Sequence, residues 1–128
     1  MNQSCKRLLV IALLSLLLSF PLQAQAIMMN NSVRITVVEQ DTVYEWEYDN
    51  PNKYEYEEGE TVIRGEKAKV EVEKIISALK LKEDSDRDEL LNRLKQHGFS
   101  QVTRMDIRLM NEKGELFTWV WEQNEERT

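Results

Sequence analysis

The chain has 128 residues, with 23 Asp or Glu against 17 Lys or Arg, so its formal charge at neutral pH is −6. Nucleic acids and anionic membrane surfaces are bound through clustered basic residues, and this acidic balance argues against both kinds of partner. The length suits one small domain with a modest core.

The first 26 residues have the pattern of a secretory signal peptide. Lys6 and Arg7 precede an apolar run at 8–20, and Ala24 and Ala26 supply the small residues of a cleavage site. The run is shorter than the roughly 20 residues that a membrane-spanning helix needs, although an uncleaved N-terminal anchor stays the alternative. We expect cleavage after Ala26, a secreted or extracytoplasmic location in the cell envelope, and no stable membrane insertion after cleavage.

Removal of the signal peptide leaves 15 basic residues against all 23 acidic ones, a formal charge of −8. The only cysteine, Cys5, lies within the signal, so the mature chain has no disulfide, thiol nucleophile or thiolate metal ligand. We predict a flexible N-terminal tail at 27–32, a single domain at 33–123 and a C-terminal tail at 124–128.

The domain opens with a predicted β-hairpin. Apolar residues at 33, 35 and 37, and then at 44, 46 and 48, alternate with polar ones, which is the period of a half-buried strand. Pairing Glu39 with Thr42 across a two-residue turn brings all six onto one face, and a slip by one residue would expose three of them.

Residues 49–64 give a weaker pattern. A turn is predicted at 50–52, residues 53–56 could form a further strand, and residues 61–63 look like an extended lead into a helix. Four glutamates surround Gly59, at positions 55, 57, 58 and 60. We interpret this cluster as a solvated acidic loop, with weak binding of a divalent cation or docking of a basic partner as the alternatives.

Two amphipathic helices follow. The first starts at Glu66, and its apolar stripe recurs at helical spacing: Ala68, Val72, Ile75, Ile76 and Leu79. In the second, Ser85 is the predicted N-cap and Leu90, Leu91 and Leu94 form the buried side. Gly98 is the predicted left-handed C′ residue, which would bring Phe99 against Leu94.

A second hairpin ends the domain. Apolar residues at 105, 107 and 109 and aromatic residues at 117, 119 and 121 alternate with polar ones around the turn at 111–114. A three-residue loop with Gly114 in the left-handed conformation pairs Asn111 with Glu115 and puts both apolar sets on one face. A two-residue turn at 113–114 would instead place the aromatics with Asp106 and Arg108, so we prefer the bulged loop.

Together these elements predict an α+β domain: an antiparallel sheet of four to five strands in the order β-β-(β)-α-α-β-β, with two helices packed on one face. The aromatic stripe of both hairpins could serve as a ligand platform, but core is the better interpretation because the helices need a surface to cover. The outer sheet face would then be open and of mixed charge, and it would carry Arg34, Thr36, Val38, Val43, Glu45, Glu47, Arg104, Asp106, Arg108, Thr118 and Val120.

No residue pattern predicts catalysis, a metal or a cofactor. His97, the only histidine, reads as a helix-end residue. The acidic run at 84–89 has EF-hand-like spacing, but Glu89 replaces the sixth-position glycine and Lys95 the twelfth-position glutamate, so we assign it to helix capping. We therefore predict a protein that is not an enzyme.

The order of features resembles the YusW-like domains of secreted and lipid-anchored Bacillus proteins. The resemblance rests on the hairpin rich in Glu and aromatics, the helix opening at 65–68, the Ser-capped second helix, residues 106–109 and the Gly114 turn, and it spans 33–122. It implies the extracytoplasmic location and the domain extent. Members often carry a lipobox Cys after the signal, which this chain lacks, and the resemblance implies no catalytic or binding residues.

We predict a secreted interaction module whose outer sheet face or edge strand contacts an unknown protein or envelope component. The alternative is a ligand-binding domain for cell-wall glycan or a cationic peptide, built on Tyr54, Tyr56 and the glutamates at 55–60. The sequence leaves the oligomeric state open. The candidate contact residues are Tyr54, Tyr56, Glu55, Glu57, Glu58, Arg34, Arg104 and Arg108.

Overall fold

The structure, a computed structural model, describes residues 30–124. The predicted signal peptide at 1–26, residues 27–29 and residues 125–128 lie outside the described residues. The elements in chain order are β1 (Asn30–Glu39), β2 (Thr42–Asp49), β3 (Lys53–Glu58), β4 (Thr61–Arg64), α1 (Glu66–Leu79), α2 (Arg87–Gln96), β5 (Val102–Asn111) and β6 (Leu116–Glu122).

All strands join one antiparallel sheet in the order β4-β3-β2-β1-β5-β6. The prediction of an α+β fold with two helices is confirmed, but the count of four to five strands is wrong, because the sheet has six. The polar segment at 49–64 forms two of them, since β2 and β4 supply backbone hydrogen-bond partners on both sides of β3.

β1 begins at Asn30, inside the segment predicted as a flexible tail. Asn30 pairs with Asn111 of β5, and Ser32 pairs with Asp49 of β2. The sequence pattern did not predict this extension because residues 30–32 are polar and show no apolar alternation. Backbone pairing does not require apolar side chains, so the strand continues through them. β1 and β5, which are neighbours inside the sheet, are both ten residues long.

Both predicted hairpin registers are confirmed. Glu39 pairs with Thr42, and Ile35 pairs with Trp46. The turn residues Gln40 and Asp41 both have positive φ, as in the tight hairpin turns that match the twist of the strands. In the second hairpin the Asn111 amide donates to the Glu115 carbonyl at 3.0 Å, and the remaining pairs follow the bulged-loop register.

The helices begin and end close to their predicted bounds, with one correction. All eight predicted stripe residues are buried. Ser85 is not the N-cap of α2: the Asp86 carboxylate accepts hydrogen bonds from the amides of Asp88 and Glu89 at 2.9 and 3.0 Å. Ser85 instead accepts from the Lys82 amide at 3.0 Å, since its side chain serves the turn before the helix.

The core lies between the helices and one face of the sheet, which we call the helix face. Trp46, Tyr48 and Trp121 are buried there, and Tyr44, Phe117 and Trp119 pack against the same cluster. The Trp119 indole N–H donates to the Ser85 carbonyl at 2.8 Å, which ties β6 to the start of α2. The aromatic stripe therefore belongs to the core, as predicted.

Candidate functional site

The opposite face of the sheet, which we call the outer face, is organised in rows that cross all six strands. Both helices pack against the core cluster on the helix face, and side chains alternate between faces along each strand. Two central rows follow from the strand registers. One row reads Arg64, Glu55, Glu47, Arg34, Arg108 and Thr118, and the next reads Val62, Glu57, Glu45, Thr36, Asp106 and Val120.

Four carboxylates lie side by side where these rows cross β2 and β3: Glu45, Glu47, Glu55 and Glu57, which we call the glutamate block. Glu45 stands opposite Glu57, and Glu47 stands opposite Glu55. Like charges directly across a strand pair repel one another and would weaken the pairing unless cations or shared protons offset them.

Arginines border the block on both sides. From β1, Arg34 contacts Glu47 at 2.9 Å and Glu45 at 3.4 Å. From β4, the Arg64 guanidinium donates to Glu55. Two cations therefore neutralise four carboxylates only in part, and an acidic surface is left between them.

Hydrogen bonds between neighbouring carboxyls shift their pKa values. A side-chain hydrogen bond with Glu47, together with burial, raises the pKa of Glu45 to about 7. The same hydrogen bond lowers the pKa of Glu47, and its contact with Arg34 lowers it further. A hydrogen bond with Glu55 raises the pKa of Glu57. Near neutral pH the block is thus poised to lose a proton when a cation approaches.

The structure divides the predicted contact group between the two faces. Tyr54 and Tyr56 lie on the helix face, half-buried against Tyr48 and Trp46 at ring-centroid distances of 5.0 and 5.5 Å. Glu58 shares that face, and its carboxylate accepts from the Tyr56 hydroxyl at 3.3 Å. The other two predicted glutamates, Glu55 and Glu57, point to the outer face.

The predicted arginines are all on the outer face and all paired. Arg34 binds the glutamate block, while Arg104 and Arg108 contact Asp106 at 3.8 and 3.1 Å. Asp106 is buried, with 8% of its surface exposed, so this part of the face is less open than the alternation pattern predicts. The two guanidiniums cover the carboxylate, because a buried charge needs partners.

Glu45 and Glu47 were predicted on the outer face but not among the candidate contact residues, and Arg64 was missed altogether. Their place beside Glu55 and Glu57 depends on β3 pairing with both β2 and β4. Tyrosine and glutamate alternate in residues 53–58, which is a signal for a strand. The signal was weak because the stretch is mostly polar.

Two shallow clefts adjoin the block. One, of about 360 Å³, is lined mainly by charged and polar residues: Glu47, Asp49, Asn52, Lys53, Tyr54, Glu55, Arg64 and Gly65. The other, of about 220 Å³, lies beside Arg34 and reaches Met110 and Leu116.

The acidic run at 84–89 and His97, both considered in the sequence analysis, lie at the two ends of α2. Within 84–89, Asp86 caps α2, and His97 is the C-cap residue of the same helix. Among residues 30–124, no group of three or more His, Cys, Asp or Glu side chains is arranged to hold a metal ion. In that same range, neither helix has the length and apolarity needed to cross a membrane.

Comparisons of the chain with models of known protein families, with curated proteins and with solved structures found no match. The resemblance to YusW-like domains therefore stays a prediction from the sequence.

Proposed function

We propose that this protein is an exported, non-enzymatic interaction module whose outer face binds a basic segment of a partner protein. The observation that carries the proposal is the glutamate block: four carboxylates on the outer face, where, among residues 30–124, no helix packs and ion pairs to the block come from Arg34 and Arg64 alone. The clefts beside the block are shallow and open, as suits a flat protein contact better than a reaction that must exclude water.

The proposed partner is basic because of the charge state of the block. A cationic side chain near Glu45 would stabilise its ionised form and release the proton that the Glu45–Glu47 pair holds near neutral pH. The formal charge of −8 that is expected for the mature chain would also steer a basic partner toward the protein.

Export is a separate part of the proposal, and it rests on the N-terminal pattern. The N-terminal sequence of protein recovered from the culture supernatant or the wall fraction should start at or near Ile27. Protein found only in membranes, with Met1 or Asn2 at its start, would contradict export by cleavage.

An oligolysine peptide is a direct probe of the outer face. We expect calorimetry to show binding that weakens with salt and releases protons, seen as a dependence of the binding enthalpy on the buffer. Glu57→Gln should weaken binding by up to about fivefold, because an exposed ion pair contributes at most about 1 kcal/mol. Glu112→Gln, in the β5–β6 turn, is the matched control and should have no effect.

The glycan alternative predicts a different result. Glu58 shares the helix face with its two tyrosines, but Glu55 and Glu57 lie on the outer face, so this alternative has less support than the basic partner. Binding to isolated wall material, together with no preference for oligolysine over oligoglutamate, would favour the glycan and contradict our proposal. Photo-crosslinking from position 36 on the outer face, compared with position 74 on α1, would then identify the natural partner in the cell envelope.

A further inference from the structure

The two edges of the sheet differ in how well they are protected. β4 is four residues long and ends in Arg64, whereas β6 has seven residues and carries no charge, Pro or Gly before Glu122. Natural sheets usually guard their edges with short strands, charges, prolines or bulges. By these criteria the edge at β6 is unguarded.

Hydrogen bonds at both ends of the second hairpin show which backbone groups lie on that edge. The Asn111 amide donates to the Glu115 carbonyl, and the Gln123 amide donates to the Thr103 carbonyl, each at 3.0 Å. Because ladder bonds alternate along an antiparallel pair, Leu116, Thr118 and Val120 direct their N–H and C=O groups away from β5. Among residues 30–124, no strand pairs with that side of β6.

The edge is self-complementary about Thr118. If a second copy of β6 runs antiparallel with Thr118 opposite itself, Leu116 faces Val120 of the second copy, and the reverse pair forms by symmetry. These two side chains are among the exposed large hydrophobics of the protein, at 59% and 37% exposure. On the helix face, the same register places Phe117 opposite Trp119 of the second copy.

The charged side chains at the ends of β6 are also compatible with this register. Glu115 of the second copy falls opposite Trp121, and the Lys95 ammonium lies 5.4 Å from the centroid of the Trp121 ring. An acidic side chain is thus brought to a lysine, while Glu122 falls opposite the uncharged Gly114. A register centred on Trp119 would instead place Leu116 opposite a glutamate.

We propose that two copies of this protein associate through antiparallel β6–β6 pairing about a two-fold axis at Thr118, joining their sheets edge to edge. Each of the three residue pairs 116–120, 118–118 and 120–116 would exchange two backbone hydrogen bonds. The inference does not depend on the partner proposed for the outer face, because its readout is the mass of the protein alone.

Disulfide trapping tests the register. In a Cys5→Ser background, Thr118→Cys should give a cross-linked dimer on mild oxidation, since residues directly opposite each other in a hydrogen-bonded pair have Cα atoms about 5.5 Å apart. Val120→Cys is the matched control: its two copies would be offset by four residues, about 13 Å, which is too far to bridge. Equal cross-linking of both variants, or of neither, would overturn the proposed register.

Light scattering on the exported protein, at concentrations up to about 100 µM because small interfaces bind weakly, tests the association. We expect the mass of a dimer for the unchanged chain and that of a monomer for Thr118→Lys, whose lysines would meet on the axis. A mixture of Thr118→Lys with Thr118→Glu should restore the dimer, which also shows that both variants fold. Val62→Lys at the opposite edge should stay dimeric. A monomer at every concentration, or a failed rescue, would refute the pairing.

Discussion

Single residues at the helix ends show how backbone conformation and sequence can disagree. Lys80 follows α1 in the left-handed region, with φ 49° and ψ 44°. Its amide donates to Ser77 and the Leu81 amide donates to Ile76, which completes the same cap that Gly98 and Phe99 form at α2. A glycine would adopt this conformation without steric cost.

We therefore expect Lys80→Gly to raise the free energy of unfolding by about 0.5 to 1 kcal/mol. Lys74→Gly, at an exposed position inside α1, should lower it by about 1 kcal/mol because glycine weakens a helix interior. Urea denaturation of both variants measures the difference. A loss of stability in both would contradict the left-handed assignment.

The cap of α2 gives a second test at the scale of one residue. Asp86→Ala removes the acceptor for two amides and should cost about 1 kcal/mol, whereas Asp86→Asn keeps an acceptor and should cost less. Ser85→Ala loses only its bond with the Lys82 amide, so its cost should be the smaller of the two alanine changes. Thermal unfolding of the three variants ranks them, and the reverse order would restore Ser85 as the cap.

Among the elements, β2 and β3 carry the charges that couple stability to pH. The folded pKa of Glu45, about 7, lies above its ordinary value of 4.5, so the folded chain binds more protons than the unfolded chain between these values. The stabilisation from this group is complete below about pH 4.5 and is lost as pH rises through about 7. The folded pKa of Glu47 is lowered, so this group stabilises the folded chain above its ordinary pKa of 4.5. That stabilisation is lost only as the pH falls below 4.5.

Glu45→Gln should therefore flatten the decline in stability between about pH 5 and 8, where Glu45 titrates in the folded chain. Urea denaturation at several pH values measures the slope, and Glu112→Gln serves as the control with an unchanged slope. Parallel curves for the unchanged chain and Glu45→Gln would show that the two carboxyls do not share a proton.

Across the whole molecule, stability depends on which sheet face is covered. Trp46 is 4% exposed on the helix face, and Val43 is 43% exposed on the outer face of the same strand. Trp46→Ala should cost about 3 to 5 kcal/mol through the cavity that it leaves, while Val43→Ala should change stability by about 0.5 kcal/mol or less. Tryptophan emission should also be blue-shifted and shielded from iodide. A tolerated Trp46→Ala would mean that the aromatics are an exposed platform.

The packing between helices adds a contact that no sequence pattern indicated. The Arg93 guanidinium of α2 donates to the Leu79 carbonyl at the end of α1, at 3.0 Å. The leucine stripe predicted that α2 packs on the sheet. The position of Arg93 relative to Leu79 depends in addition on the angle between the two helices, which the stripe does not report.

The sequence by itself determined both hairpin registers, both helix stripes and the face that forms the core. Each of these rests on an apolar period of two or 3.6 residues, and a shift by one residue would expose several large side chains. The bulged turn at Gly114 and the cap at Gly98 were also predictable, because glycine meets a local backbone requirement in each.

Only the tertiary structure decided that residues 49–64 form two strands and how the side chains of the outer face are arranged. β3 is held by backbone bonds to β2 and β4, and polar side chains carry little information about such pairing. Once those strands are placed, Glu45 and Glu47 stand beside Glu55 and Glu57, and Tyr54 and Tyr56 turn to the other face. The glutamate block is thus a product of pairing between distant strands, since a local pattern cannot report which strand lies next to which.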